Sequence, residues 1–368
     1  MTIDLFNARR FLALFSLIYL TCVGGQSAIA ESAIEPEAAP FFGAKFEPPA
    51  GRALHGWGQI SHGWNTDHPG AAGDMQDYRD YTEAVGEYSP AVVSFYIHPQ
   101  RDDGQAQLEG FIERYTAFAE EDSWQIAQIA YDFDPEKTLA GEGDKQLELF
   151  FKAVAQVGKP VMMRIGWEFN NRNHFDPKGY REGYRYIVDK MRSMGVTNVA
   201  TLWHASVPDL DELSGMPILS EHPYMDFYPG DEYVDWWSIS EFAIDHFRSP
   251  GSIEFYENAA SRNKPVFIGE SAPWMGGETI MSFRDPVTLQ ESLDWFAAFF
   301  SLFEDYPQIK GMNLIIIDWQ RWNWIWPQIQ GGFNNTRLDL FPELPGLYQE
   351  KLSNPRFIHA PEAKQLYQ

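Results

Sequence analysis

Apolar runs and helically spaced apolar positions alternate along the chain. Short runs rich in β-branched and aromatic residues predict strands over 53–58, 91–97, 125–131, 160–166, 198–204, 234–239, 264–269 and 311–317. Between them, apolar residues at helical spacing predict helices over 76–86, 105–120, 142–157, 178–194, 252–262 and 288–304, and a weaker one near 344–352. Leu147, Phe150, Phe151 and Val154 share one helical face, and Gly158-Lys159-Pro160 stops that helix. Asp176 is placed to cap the next, with Pro177 at its first position. Val161-Met162-Met163 and Leu314-Ile315-Ile316-Ile317 are unbroken apolar runs, the mark of strands buried on both faces.

Eight strands interleaved with helices predict an α/β fold, a (β/α)8 TIM barrel in one domain over 51–360. An open doubly wound sheet is the alternative. No Gly-x-Gly-x-x-Gly turn follows the first strand, and no P-loop signature occurs. Surplus length is expected in loops over 59–75, 205–232 and 318–338. Residues 31–50, rich in Ala, Pro and Glu, read as a flexible leader.

Composition narrows the function. The chain has 368 residues, 28 Lys and Arg against 52 Asp and Glu, and a net charge of −24. Such a surface repels phosphate backbones and anionic membranes, so no nucleic-acid partner is expected. A monomer is expected. Thirteen Trp, 17 Tyr and 27 Phe make a high aromatic content, which either a thick core or a surface that holds flat ligands would explain.

Arg9 and Arg10 precede an apolar run over 11–23, and Ala28-Ile29-Ala30 follows. This is the pattern of a signal peptide over 1–30, cleaved after Ala30, for a secreted or periplasmic protein with no membrane span after its removal. A twin-arginine signal, a lipidated Cys22 and an uncleaved anchor are the alternatives. Cys22 is the only cysteine, so the mature chain is expected to hold no disulfide and no thiolate site.

Barrel active sites lie at the C-terminal strand ends. Glu168 follows the fourth predicted strand and Glu270 ends the seventh, across the barrel mouth. A carboxyl pair there can hydrolyse glycosides, one group protonating the leaving oxygen while the other attacks the anomeric carbon or activates water. Each Glu taken alone also fits a strand-end ion pair. In a hydrolase, Glu168 is expected to have the raised pKa and Glu270 to stay ionised.

The chain resembles glycoside hydrolase family 26, the β-mannanase-like endo-β-glycanases of the clan A barrels. The motifs run in order over about 53–325: Arg164-x3-Glu168-x-Asn170, Val199 to Trp203, Tyr228-Pro229-Gly230-Asp231-Glu232-Tyr233-Val234-Asp235-Trp236, and Lys264-Pro265 to Gly269-Glu270. The resemblance implies Glu168 as acid/base and Glu270 as nucleophile, with Tyr233 hydrogen-bonded to it, Asp231 near the site and Arg164 bracing the carboxylates. One departure is Trp167, where the family usually has His before the acid/base. Indole has one donor and no acceptor, so the hydroxyl pattern recognised there differs and mannan specificity is in doubt. The strand-eight segment departs too, with Gln320 where Arg often stands.

Trp57, Trp64, Trp167, Trp203, Trp274, Trp319 and Trp322 fall at predicted strand ends and are candidates to stack on sugars; packing under loops is the alternative for each. Asn170, His55 and His98 are further substrate-binding candidates, and His62 and His204 candidate cleft residues. No His-x-His stands on the first strand, no His-Glu-x-x-His occurs, and no Gly-x-Ser-x-Gly elbow is present. No metal or cofactor is therefore expected.

The sequence points to a secreted, retaining endo-β-glycanase acting on mannan, β-glucan or a microbial exopolysaccharide. A glycan-binding barrel that has lost hydrolysis is the alternative from another class, and a metal-dependent barrel hydrolase a third.

Overall fold

The computed structural model describes residues 39–61, 73–100, 104–120, 125–172, 174–215, 217–274, 287–318 and 335–368. The expected signal peptide, Cys22, His62, Trp64, Trp319, Trp322 and most of two of the expected long loops lie outside them. Among the described residues no helix is long and apolar enough to cross a membrane. Residues Ala38–Gln368 form one compact unit.

Eight strands form it: β1 (Ala53–Ser61), β2 (Val92–Ile97), β3 (Ile126–Tyr131), β4 (Val161–Ile165), β5 (Val199–Ser206), β6 (Trp236–Ser240), β7 (Val266–Ser271) and β8 (Ile309–Leu314). Each pairs in parallel with the next, and β8 and β2 both flank β1, so the sheet closes. Parallel neighbours need a crossover. The crossovers carry α1 (Gly73–Val85), α2 (Gly104–Glu120), α3 (Pro135–Leu139) with α4 (Asp144–Val157), α5 (Pro177–Ser193), α6 (Leu210–Ser214), α7 (Pro250–Ser261) and α8 (Leu289–Asp305). Then come α9 (Leu344–Leu352), a short β9 (Phe357–Ile358) beside β1, and α10 (Ala360–Tyr367). The protein is a (β/α)8 barrel.

Local chemistry sets the helix ends. Asp176 caps α5 by accepting from Gly179 N at 2.9 Å. Thr288 and Glu291 form a reciprocal capping box on α8. Leu147, Phe150, Phe151 and Val154 are the buried face of α4, and Gly158 ends it in a left-handed conformation at φ 71°.

Alternate strand residues point into the barrel. Leu54, Val92, Met162, Leu202, Trp236 and Phe267 form an apolar layer at its base. Above them the interior turns polar. Asn313 Nδ2 on β8 donates to Gln128 Oε1 on β3 at 2.6 Å, and Ser94, Arg164 and Ser238 are fully buried.

The base is closed by residues 39–50, which corrects the expectation of a leader flexible up to residue 50. Lys310 Nζ on β8 sits 2.9 Å from Glu47 Oε1 with both side chains fully buried. The Glu47 carboxylate also accepts from Phe42 N at 3.0 Å and Ala44 N at 3.0 Å. Lys45 Nζ donates to Val199 O at 2.9 Å, and Trp236 Nε1 donates to Lys45 O at 2.8 Å. Alanine and proline content suggested a free tail, but Lys45 and Glu47 have buried partners on the strands.

Candidate active site

β4 ends in a tight, glycine-dependent turn. Gly166 has φ 60°, and a Cβ there would come within 2.7 Å of Phe133 and 2.9 Å of Tyr180. Glu168 itself takes a left-handed φ of 50°, which is uncommon outside glycine and costs roughly 1 kcal/mol. Such strain persists where the surroundings fix it. Here Phe169 N donates to His204 O at 3.3 Å, Arg172 N to Ile218 O at 2.7 Å, and Ser220 N to Asn170 O at 2.7 Å. His174 Nδ1 reaches the Glu168 carbonyl at 3.2 Å. Asn171 Nδ2 donates to Glu168 Oε2 at 3.0 Å and so orients the carboxyl.

Glu270 stands at the end of β7, its side chain almost wholly enclosed. Arg164 Nη1 donates to Glu270 Oε1 at 2.6 Å. The same guanidinium reaches His204 Nδ1 at 2.9 Å and, through Nη2, Ser94 Oγ at 3.2 Å. Tyr96 faces this pair from β2, with Arg164 Cζ 4.9 Å from its ring centroid. Burial pushes the Glu270 carboxyl above its ordinary pKa; Arg164 and Tyr96 pull it down, while the charge of Glu168 pushes it up. The two glutamates therefore sense each other across the barrel mouth. Burial is the largest of these causes, because the Glu270 carboxyl is removed from water.

Trp167 lies edge-on to Tyr96, with centroids 5.7 Å apart, and to His98, at 5.1 Å. His98 Nδ1 sits 2.8 Å from Asp132 Oδ2 at the end of β3. Burial pushes the Asp132 carboxyl up, but hydrogen bonds and charge from His174 and His98 outweigh it and hold the group well below the usual carboxylate range. Glu168, Glu270, Arg164, Trp167 and His98 thus gather at one end of the barrel.

Other expected site residues have different places. Tyr233 and Asp231 precede β6, at the opposite end of the barrel from Glu270. Tyr233 packs under Arg185 and Arg192, whose guanidinium carbons lie 5.6 and 5.2 Å from its ring centroid. Asp231 is exposed and accepts from Tyr228 Oη at 2.7 Å. Tyr96 instead supplies a phenol beside Glu270. His55 is buried near the start of β1, away from the carboxyl pair, 3.0 Å from His359 Nδ1 and 2.5 Å from Tyr81 Oη. Trp203 is core, stacked on Phe169 at 4.5 Å. Trp57 is core as well, packed on Tyr78 at 5.3 Å. Asn170 gives its whole amide to the backbone of Ser206, donating to O at 3.0 Å and accepting from N at 2.8 Å. Trp274, just past β7, is nearly buried. Trp319 lies outside the described residues. Among the described residues no group of three or more His, Cys, Asp or Glu is arranged to hold a metal ion.

Sequence reasoning missed Tyr96 and Asn171 altogether, and Ser94 and Ser240 with them. A signal was present for two of these: Ser94 and Tyr96 fall on one face of an otherwise apolar strand, with the inward parity of Val92.

No family model matches the chain. It is 24% identical over 311 residues to a β-1,3-xylanase of Alcaligenes sp., covering 78% of this chain and 63% of that protein. It is 25% identical over 308 residues to the β-1,3-xylanase TXYA of Vibrio sp., covering 77% and 64%. The chain thus spans less than two thirds of the length of these curated relatives. Among solved structures, a family 113 β-1,4-mannanase superposes with a TM-score of 0.54 at 11% identity, over 82% of this chain and 99% of that one. The family 26 β-mannanase of Bacteroides ovatus superposes at 0.50 and 14%, over 86% and 93%. This chain shares the barrel fold of those glycanases, and its sequence runs alongside two β-1,3-xylanases for three quarters of its length.

Proposed function

We propose that this chain is an exported, retaining endo-β-glycanase of the family 26 type. Glu168 is the general acid/base and Glu270 the nucleophile. The observation that carries the reading is the carboxyl pair at the ends of β4 and β7, with Arg164 2.6 Å from Glu270 and Asn171 3.0 Å from Glu168. In the first step the Glu270 carboxylate attacks the anomeric carbon as Glu168 protonates the departing oxygen. In the second, Glu168 takes a proton from water, and the hydroxide displaces Glu270.

Arg164 keeps positive charge on the nucleophile, and Tyr96 and Trp167 wall the site with flat, apolar surface. A β-1,3-linked xylan leads the substrates, because two curated relatives that run along three quarters of the chain carry that activity in their names. Trp167 in place of the family's His weighs against mannan.

The test is release of new reducing ends by the chain after Ala30. The panel is β-1,3-xylan, mannan, glucomannan, mixed-linkage β-glucan and microbial exopolysaccharides, with Glu270→Ala as the blank. We expect one polymer to be cleaved by the wild type and not by the variant. Equal release by both would remove the two-glutamate reading. Undiminished polymer binding with no release would favour the glycan-binding alternative.

A further inference from the structure

His204 and Ser240 have no assigned part in the chemistry, yet they stand directly behind the nucleophile's cation. Arg164 Nη1 carries two hydrogens. One points to Glu270 Oε1 at 2.6 Å and the other to His204 Nδ1 at 2.9 Å. Only an imidazole nitrogen without a hydrogen can accept the second. The ring's single proton must then sit on Nε2, which faces Ser240 Oγ at 3.0 Å. All four side chains come from the ends of consecutive strands β4 to β7. Gly269 leaves room for the layer: a Cβ there would meet Ser238 Oγ at 2.5 Å, His204 Cε1 at 3.1 Å and Arg164 Cδ at 3.2 Å.

We propose that His204, fixed by Ser240 as the neutral Nε2-protonated tautomer, is a positioning residue that aims the charge of Arg164 at Glu270. The inference rests on the reading of Glu270 as nucleophile. A neutral acceptor leaves the guanidinium charge undivided, whereas a carboxylate at position 204 would compete with Glu270 for it. A protonated His204 would set N–H against N–H and push Arg164 away. Burial and the neighbouring Arg164 both hold the imidazole well below its ordinary pKa, so it keeps this form across the working range. The charged and titratable groups facing the assembly are Arg164 and Glu168 from the end of β4, Tyr96 from β2 and Glu270 from β7.

Three variants and two readouts test it. Long-range 1H–15N spectra of the full chain, with His204→Asn for assignment, are expected to show His204 as the Nε2–H tautomer from pH 5 to 8. A doubly protonated ring or the Nδ1–H tautomer would overturn the proposal. On the polymer that the wild type cleaves, His204→Leu is expected to lower kcat about tenfold, the scale of one charged hydrogen bond. It should also move the acidic limb of kcat/KM upward by about one pH unit, with KM within twofold. His204→Asn, whose Oδ1 can replace Nδ1 as acceptor, should restore both. Ser240→Ala, which frees the tautomer without opening the core, should show a smaller shift in the same direction and stands in if His204→Leu does not fold. Wild-type kcat and acidic limb in folded His204→Leu or in Ser240→Ala would overturn it. Absence of hydrolysis by the wild type would fail the functional reading instead, and the tautomer measurement would still decide this one.

Discussion

Arg164 on β4 and Glu270 on β7 lie 106 positions apart in the chain, and Arg164 Nη1 donates to Glu270 Oε1 at 2.6 Å inside the barrel. The guanidinium is fully buried. Each charge is therefore compensated mainly by the other, in a setting where water does little to screen them.

Replacing Arg164 by Met would leave Glu270 buried without its cation. Its carboxyl pKa, already raised by burial, should rise further, and the acidic limb of kcat/KM should move upward. Activity at pH 6 is expected to fall at least a hundredfold, the scale of a lost buried charge partner. An unchanged acidic limb in the folded variant would mean that Arg164 does not govern the ionisation of Glu270.

Asn170 and Asn171 are neighbours with different work. The Asn170 amide spans Ser206 O and N, so Asn170→Ala should lower stability by about 2 kcal/mol, the scale of two buried hydrogen bonds. Asn171 holds the Glu168 carboxyl, so Asn171→Ala should lower kcat by about fivefold to tenfold with a smaller effect on thermal unfolding. Urea unfolding and steady-state kinetics on both variants separate the two roles.

The side chain of Glu241, at the end of β6, turns towards α7, where Tyr256 Oη donates to it at 2.5 Å. Burial, the largest cause, raises its pKa to about 7. Below the unfolded carboxyl value of about 4.3 both states hold the proton. Between there and about 7 only the unfolded chain releases it, so this group makes stability fall as pH rises, by about 4 kcal/mol in all. Glu241→Gln should therefore unfold several degrees above the wild type at pH 8 and together with it at pH 4. A variant no more stable at pH 8 would contradict this account of the side chain.

The Lys310–Glu47 pair at the barrel base is fully buried. Removing one partner strands the other charge, so Lys310→Met alone should cost about 3–5 kcal/mol. The double replacement Lys310→Met with Glu47→Gln should recover much of that loss, since Gln keeps an acceptor for Phe42 N and Ala44 N. Denaturant midpoints of the single and double variants give the coupling directly.

The barrel was legible because its strands are unbroken apolar runs, such as Val161-Met162-Met163, separated by amphipathic stretches. Helix ends carried by Asp176 and Gly158 were legible for the same local reason. The two glutamates could be read as a pair from their places at strand ends. Tyr233 could not be placed correctly, because β6 begins only at Trp236 and leaves the tyrosine at the far end. His55 and Trp203 were misread because strand membership does not say which way a side chain faces. The Arg164–His204–Ser240 chain joins three strands, and no local pattern announces such a contact.

The central claim is that Glu270 forms a covalent bond to the sugar, and the anomeric form of the first product tests it most directly. Whichever polymer the wild type cleaves should be digested in an NMR tube and followed from the first minutes. The account predicts that the β-anomer appears first and the α-anomer only later, by mutarotation. Initial release of the α-anomer would show single displacement by water and contradict Glu270 as nucleophile.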